Sequence, residues 1–209
     1  DQEVEMIGNP TMFNGKLMVD FFPWRDNRWH LTVGFYYGSS RVARAINAIT
    51  EMPSLLAVDI YNSFYDKDFL YEPLYGDVYL DPDKAMALRE KFDSYGRMGV
   101  HLGDYPDGSP YMLTPHTDGT VRANMHVNRF KPYIGFGYQG TIGSSRRWSV
   151  GFDCGAMMWG GTPKLITHDG IDLISDVNNV PGKVGSYVST ISQFKVWPVL
   201  NFRIAYTIF

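Results

Sequence analysis

Residues 147–159 of the chain read RWSVGFDCGAMMW, and the alternation in this stretch decides the fold. The even-numbered positions are all apolar and comprise Trp148, Val150, Phe152, Cys154, Ala156 and Met158. The odd-numbered positions from 149 to 155 hold serine, two glycines and one aspartate, Asp153. Because side chains alternate between the two faces of a strand, one face is apolar and the other is small or charged. An apolar, aromatic outer face over a glycine-rich inner face is typical of a small β-barrel in lipid.

The first and last parts of the chain repeat this alternation. Residues 15–22 (GKLMVDFF) and 28–38 (RWHLTVGFYYG) place apolar side chains at odd positions, with the short sequence PWRDN between them. Two alternating segments joined by a short turn predict a β-hairpin. In residues 197–209 (WPVLNFRIAYTIF), the even positions from 200 onward are apolar or aromatic, whereas Asn201 and Arg203 occupy the opposite face. The sequence therefore predicts an all-β fold, an antiparallel up-and-down transmembrane β-barrel.

The overall composition excludes several classes of protein. A chain of 209 residues is long enough for one domain with a core, and we predict a single domain over residues 1–209. The formal net charge of −3 and the lack of a basic cluster argue against nucleic acid as a partner. The single cysteine, Cys154, excludes an intrachain disulfide framework. No apolar run is long enough for a transmembrane helix.

Residues 39–119 differ from the rest of the chain because they show no sustained alternation. They are also far longer than an ordinary connection between strands, so we predict a long, partly helical loop insert. Asp81 and Pro82 mark the start of one helix, with Asp81 as the N-cap and Pro82 in the first helical position. We also predict a helical turn in residues 43–50 and a strand in residues 56–64.

Seven polar residues from separate strands are predicted to face the lumen of this barrel. Burying a charge is costly unless the charge is paired and hydrogen-bonded. We therefore predict a lumen-filling polar network made by Lys16, Asp20, His30, Gln139, Asp153, Asn201 and Arg203. The alternative is a functional one, in which the same side chains form a selective polar conduit or a small binding pocket.

The sequence offers little support for catalysis. No GxSxG or P-loop pattern is present, and the five histidines lack metal-type spacing. The glycine-rich residues 135–143 (GFGYQGTIG) follow strand alternation, and no helix follows them as a nucleotide-binding loop requires. Acidic residues of the insert are explained as solvated carboxylates and helix caps, with a divalent-cation site as the alternative. We predict a protein that is not an enzyme, with no catalytic residues, no metal and no cofactor.

Four blocks of the sequence resemble small outer-membrane β-barrel proteins of Bacteroidetes-type Gram-negative bacteria. The blocks are GKLMVDFFPWRDNRWHLTVGFYYG (15–38), FKPYIGFGYQG (130–140), RRWSVGFDCGAMMWGGTPK (146–164) and FKVWPVLNFRIAYTIF (194–209). This resemblance implies an outer-membrane location, contact with lipid and lipopolysaccharide, and insertion by the barrel-assembly machinery. It also implies that Tyr206 and Phe209 belong to an assembly signal at the end of the last strand.

The same resemblance implies which connections lie outside the cell. With a periplasmic C-terminus, residues 39–119 and 160–196 would be extracellular, and PWRDN and TIGSSR would be periplasmic turns. The first strand would then begin on the outer side. Either N-terminal strands are missing from this sequence, or residues 39–119 supply a further strand pair to the barrel.

The sequence leaves three functional hypotheses open. The leading one is a non-enzymatic outer-membrane barrel of about eight strands, whose lumen is filled by side chains. Its surface loops would bind an extracellular ligand or a partner in an outer-membrane complex. The second hypothesis is a narrow, porin-like channel for small solutes. The third is a soluble lipocalin-like barrel, in which the apolar face points inward around a ligand.

Overall fold

The computed structural model describes residues 5–25, 28–143 and 147–206 of the chain. Within these residues the protein is mostly β-structure, and none of its helices is long and apolar enough to cross a membrane. The strands are β1 (Met6–Pro10), β2 (Asn14–Phe21), β3 (Trp29–Gly38), β4 (Arg41–Asn47), β5 (Val100–Asp104), β6 (Pro110–Leu113), β7 (Arg122–His126), β8 (Phe130–Ile142), β9 (Trp148–Met158), β10 (Lys164–Thr167) and β11 (Val196–Tyr206). The helices are α1 (Met52–Tyr65), α2 (Pro82–Tyr95) and α3 (Gly182–Gln193), and a 3-10 turn (Ile49–Glu51) precedes α1.

The strands form three sheets. The largest contains β11, β9, β8, β3 and β2 in that order, and each neighbouring pair is antiparallel. Because the order in the sheet follows the order in the chain, this sheet is an up-and-down meander. A second sheet has the order β1-β4-β7-β10, and β5 pairs with β6 in a third. The predicted antiparallel β architecture is therefore present, whereas the described strands do not close into the predicted barrel.

Two predictions for the insert are wrong. The helical turn predicted in residues 43–50 is largely strand β4, and the strand predicted in residues 56–64 lies within helix α1. A short apolar run does not distinguish a helix from a strand by its periodicity alone. In α1, Pro53 lies in the first turn, where backbone N–H groups have no partner within the helix, so the missing N–H of proline costs no hydrogen bond. The strand pair of the insert, β5 and β6, forms its own sheet among the described residues and adds nothing to the five-stranded one.

Helix α2 begins as the sequence predicts. The Asp81 carboxylate accepts a hydrogen bond from the backbone N–H of Asp83 at 3.1 Å, and Pro82 is the first helical residue. Phe92 of this helix packs against the rings of Tyr61 in α1 and of Phe69, with centroid separations of 5.3 and 5.9 Å. These aromatic contacts join α1 and α2 to each other.

The chain divides into two compact units. The first unit comprises residues 1–8, 45–123 and 167–185, and the second comprises residues 9–44, 124–166 and 186–209. The described part of the first unit contains α1, α2 and the sheet of β5 and β6. The second contains the whole five-stranded sheet, with its own apolar core of Val42, Val127, Tyr133, Met157 and Trp159.

The five-stranded sheet separates apolar from polar side chains by face, as the alternation predicts. In one row across three strands, Val19, Val33 and Ile134 pair in register, and each is at least 50% exposed. On the opposite face, His30 is 0% exposed and Asp153 is 2% exposed. The apolar face therefore meets the surroundings, and the polar face is buried around His30 and Asp153.

Both long connections of the five-stranded sheet leave from the same end. The register pairs the end of β3 with the start of β8, and the end of β9 with the start of β11. Since β8 and β9 are antiparallel neighbours, these two places lie at one end of the sheet. Residues 39–119 and 160–196 therefore share an end, as the predicted topology requires. The two short turns are at the other end, and residues 26–27 and 144–146 in them lie outside the described part of the chain.

Two glycines on the inner face of β9 have different surroundings. A Cβ atom at Gly155 would lie 2.5 Å from the carbonyl oxygen of Ile134 and would overlap the ring of Tyr133. At Gly151 the nearest atoms would be 3.7 Å from a Cβ atom, which is an ordinary contact. Position 155 therefore requires glycine because a neighbouring strand and a large ring take up the space.

We expect Gly155→Ala to destabilise the folded protein by about 1–3 kcal/mol, because the added methyl group must displace a carbonyl oxygen or a packed ring. Gly151→Ala is the matched control and should change the free energy of unfolding by less than about 0.5 kcal/mol. Urea-induced unfolding of the refolded protein, followed by tryptophan fluorescence, measures both variants. Equal stability of the two variants would contradict the close packing around position 155.

Candidate functional site

A buried histidine–aspartate pair lies on the inner face of the five-stranded sheet. His30 Nε2 is 2.8 Å from Asp153 Oδ1. Because an ionised carboxylate only accepts, the proton of this hydrogen bond is on Nε2. The Thr32 hydroxyl lies 2.8 Å from the same aspartate oxygen and 2.9 Å from Asp20 Oδ1. A hydroxyl has one proton, so Thr32 donates to one carboxylate at a time.

Arg203 on β11 brings a positive charge to these two carboxylates. Its Nη1 donates to Asp20 Oδ2 at 2.9 Å, and its Nη2 lies 3.5 Å from Asp153 Oδ2. The fork of N–H groups on a guanidinium suits this double contact. A carboxylate as buried as that of Asp153 is very costly without such a partner. We refer to Asp20, His30, Thr32, Asp153 and Arg203 as the inner-face cluster.

The inner-face cluster requires the five-stranded sheet to be curled. Strands β2 and β11 are its opposite edges, and four strand spacings would separate them by about 19 Å in a flat sheet. An arginine and an aspartate cannot bridge that distance, yet Arg203 reaches Asp20. A second link joins the same two edges, because Lys16 Nζ donates to Asn201 Oδ1 at 2.9 Å. The sheet therefore curves around its polar face, and its apolar face is convex.

Six of the seven residues predicted for the lumen network take part in these contacts, and Gln139 is the exception. Gln139 lies on the same face, opposite Gly151, which also pairs in register with Arg203. Among the described residues, no hydrogen bond joins the Gln139 side chain to the inner-face cluster. The predicted set therefore comprises four members of the inner-face cluster, the hydrogen-bonded pair of Lys16 and Asn201, and Gln139 beside them.

Two polar residues of the inner face are missing from the predicted set. Thr32 belongs to the inner-face cluster, and Lys131 is fully buried further along the same face. The Lys131 ammonium group donates to Asn14 Oδ1 at 2.9 Å and to the carbonyl oxygen of Ser39 at 3.0 Å. Both residues have the polar parity of their strands, so the alternation could have identified them.

The predicted assembly signal is described only in part. Tyr206 is the last residue of β11 and is exposed, with its ring centroid 4.9 Å from that of Trp148. Phe209 lies outside the described residues. The role of these two residues in assembly stays a prediction.

The inner-face cluster contains ligand groups that a metal ion could use. The ligand atoms of Asp20, His30 and Asp153 lie within 4.8 Å of one another. One imidazole nitrogen with two carboxylate oxygens suits Zn²⁺ or another divalent transition metal. Arg203, however, contacts both carboxylates, so its guanidinium already provides the neutralising positive charge. We therefore interpret the cluster as an ion-pair network that stabilises the curled sheet.

Tyr111 forms a second buried polar cluster, in the first compact unit. Its hydroxyl oxygen lies 2.8 Å from Asp169 Oδ1 and 2.9 Å from Thr167 Oγ1. Burial raises the pKa of the Tyr111 hydroxyl above its ordinary value. Next to it, His168 Nε2 donates to the carbonyl oxygen of Thr114 at 2.9 Å. These hydrogen bonds hold the turn after β10 against β6.

Comparisons with known proteins give only weak structural similarity. No protein-family model matches the sequence, and no curated protein sequence matches it. Among solved structures, the chain is similar to the crystal structure of CarO2 from Acinetobacter baumannii, with a TM-score of 0.39 and 15% identity over 98% of this chain and 83% of that one. A similarity of this size does not establish a shared fold, so the interpretation of this chain depends on its own geometry.

We expect Asp153→Ala to destabilise the protein by about 3 kcal/mol or more, because it removes the shared partner of His30 and Arg203 from a buried site. Lys16→Met is the matched control, since Lys16 is exposed and its loss should cost less than about 1 kcal/mol. Urea-induced unfolding and compact migration on unheated gels report on both variants. Unchanged unfolding of the Asp153 variant would show that the inner-face cluster is not essential to the sheet.

For the second cluster, we expect Tyr111→Phe to lower the free energy of unfolding by about 1–3 kcal/mol at pH 8. The folded state holds the phenolic proton more tightly than the unfolded chain does, so its stabilising effect is full below the ordinary pKa of 10.0 and is lost as the pH rises above that value. The difference between wild type and variant should therefore narrow at pH 11. Tyr95→Phe, at an exposed tyrosine, is the control and should show no such change. A constant difference across this pH range would contradict the raised pKa.

Proposed function

We propose that this protein is a non-enzymatic outer-membrane β-barrel protein that acts through its surface connections. One observation carries the proposal: the convex face of the five-stranded sheet exposes apolar side chains on every strand, whereas its concave face buries an ion-paired cluster. Soluble monomeric proteins rarely expose a contiguous apolar surface of this extent. A hydrocarbon environment around the sheet removes the cost of that exposure.

The strand lengths fit this proposal. Strands β8, β9 and β11 have 13, 11 and 11 residues, and a tilted membrane-spanning strand needs about 9–11. Aromatic side chains lie near both ends of the convex face, as in the aromatic girdles of membrane barrels. Trp29 and Trp148 are near the short-turn end, and Tyr37 and Phe130 are near the other.

The direction of the edge strands supports a closed barrel with further strands. Strands β2 and β11 run in the same direction, because four antiparallel steps separate them. A barrel with only antiparallel neighbours has an even number of strands, so closure needs an odd number beyond these five. Three more strands would give a barrel of about eight strands, whose interior is just wide enough for side chains to fill. Among the described residues, this sheet contains five strands.

The proposed surface role is based on the difference between the two ends of the sheet, since one end carries the long connections and the other the short turns. All long connections leave one end, and the first compact unit consists largely of residues from these connections. We place this end outside the cell, where residues of the long connections would bind an extracellular ligand or another outer-membrane component. Insertion through the barrel-assembly machinery, with Tyr206 and Phe209 as its signal, and contact with lipopolysaccharide belong to the same proposal.

The two alternatives differ in what they require of the inner face. A narrow, porin-like channel needs a water-filled path, and the polar inner face is the observation that favours it. The Arg203–Asp20 ion pair and the Lys16–Asn201 hydrogen bond, which both cross this face from β2 to β11, favour a filled interior instead. A lipocalin-like barrel needs the apolar face inside, which disagrees with the exposure of that face. In planar bilayers we expect no single-channel conductance, and regular conductance steps would support the channel.

We expect Phe202→Arg to weaken folding into lipid vesicles by about 2–4 kcal/mol, because a charge near the middle of the lipid-facing surface loses its hydration. Phe202 lies in the middle of β11 and is 79% exposed. The matched control is Tyr71→Arg, because Tyr71 is 80% exposed but belongs to the first unit, and this change should have no effect. The folded fraction in vesicles is measured by heat-modifiable gel migration. A wild-type protein that is monodisperse without detergent would contradict the proposed function.

A further inference from the structure

A cleft lies on the convex face at the short-turn end of the five-stranded sheet. Its volume is about 460 Å³, and its walls are Trp24, Arg25, Trp29 and Phe136. The Trp29 ring stacks on Phe136 with centroids 5.0 Å apart, and Trp24 meets the same ring edge-on at 5.8 Å. Three rings therefore form a fixed wall, and Arg25 provides the charged group beside it.

These side chains have the chemistry of a membrane–water boundary. An indole has a broad apolar surface and one N–H donor, so tryptophan concentrates where hydrocarbon meets headgroups. A guanidinium binds a phosphate through paired N–H groups. Both properties occur together in this cleft, because Arg25 is adjacent to Trp24 in the chain and the rings lie on the apolar face.

The charge of the short-turn end points to an anionic occupant. The sequences of the two short turns contain Arg25, Arg28, Arg146 and Arg147 against a single acidic residue, Asp26, in a chain whose formal net charge is −3. Basic residues beside a membrane-spanning segment are attracted to anionic lipid headgroups. The sequences of these two turns are therefore more basic than the chain as a whole.

We propose that this cleft binds the phosphate of an anionic glycerophospholipid in the leaflet at the short-turn end. Arg25 contacts the phosphate, Trp24 and Trp29 enclose the glycerol region, and the acyl chains lie along the convex face beyond Phe136. The inference rests on the proposed function, since it requires the sheet to be in a membrane. It adds a defined lipid site to one end of the protein.

The test uses the full chain folded in mixed micelles with equal amounts of phosphatidylglycerol and phosphatidylcholine. Native mass spectrometry then counts the lipids that remain bound. We expect wild type to retain phosphatidylglycerol, and Arg25→Gln to lower its retention about tenfold through the loss of a charge-assisted contact. Arg25→Lys, which keeps the charge but loses the fork, should give an intermediate value. Arg129→Gln, at the other end of the sheet, is the matched control and should behave as wild type.

Three results would overturn the inference in different ways. Equal retention of both lipids by a correctly inserted wild type would exclude the lipid site and leave the proposed function intact. Displacement of phosphatidylglycerol by soluble glycerol phosphate would show that the cleft recognises a free phosphate rather than a lipid. Failure of wild type to insert into vesicles at all would reject the proposed function together with the site.

Discussion

The contact of Arg203 with Asp20 and Asp153 is the interaction on which the five-stranded sheet depends. It joins one edge strand to the other and neutralises a carboxylate that is almost completely buried. Because the three side chains must meet, the sheet has to curve around them. Alternation along each strand then places every second side chain on the convex side. The polar contact inside and the apolar surface outside are thus two results of the same geometry.

This arrangement inverts the usual distribution of polarity in a soluble protein. An apolar side chain on the convex face gains less from folding in water than a core side chain does, since much of its surface stays exposed. The same side chains gain favourable surroundings in hydrocarbon, where a charged inner face is shielded from lipid by its own sheet. The exposed apolar side chains therefore fit apolar surroundings at the convex face.

The features that could be predicted from the sequence are those set by neighbouring residues. Alternation identified the strands of the five-stranded sheet and their polar faces, and the Asp81 cap identified the start of α2. Helix α1 was missed because its apolar run fits both a helix and a strand, and tertiary packing decides between them. The order of the second sheet, β1-β4-β7-β10, joins strands far apart in the chain, and local patterns carry no information about that.

The candidate site, too, could be predicted from local sequence patterns only in part. The seven polar residues were identified from the parity of their strands, but which of them touch depends on the curvature of the sheet. No local sequence pattern specifies that Lys16 meets Asn201 while Gln139 remains outside the cluster. Thr32 was overlooked because a threonine on a strand is ordinary, although its hydroxyl connects the two carboxylates.

The placement of all long connections at one end has a consequence for how this protein can change during evolution. Residues inserted or lost in those connections do not change the short turns that join the neighbouring pairs β2–β3 and β8–β9. The first compact unit and the five-stranded sheet can therefore diverge at different rates, because the geometry of the sheet constrains its residues more strongly. Relatives of this chain are expected to differ most in length between β3 and β8, and least across the two short turns.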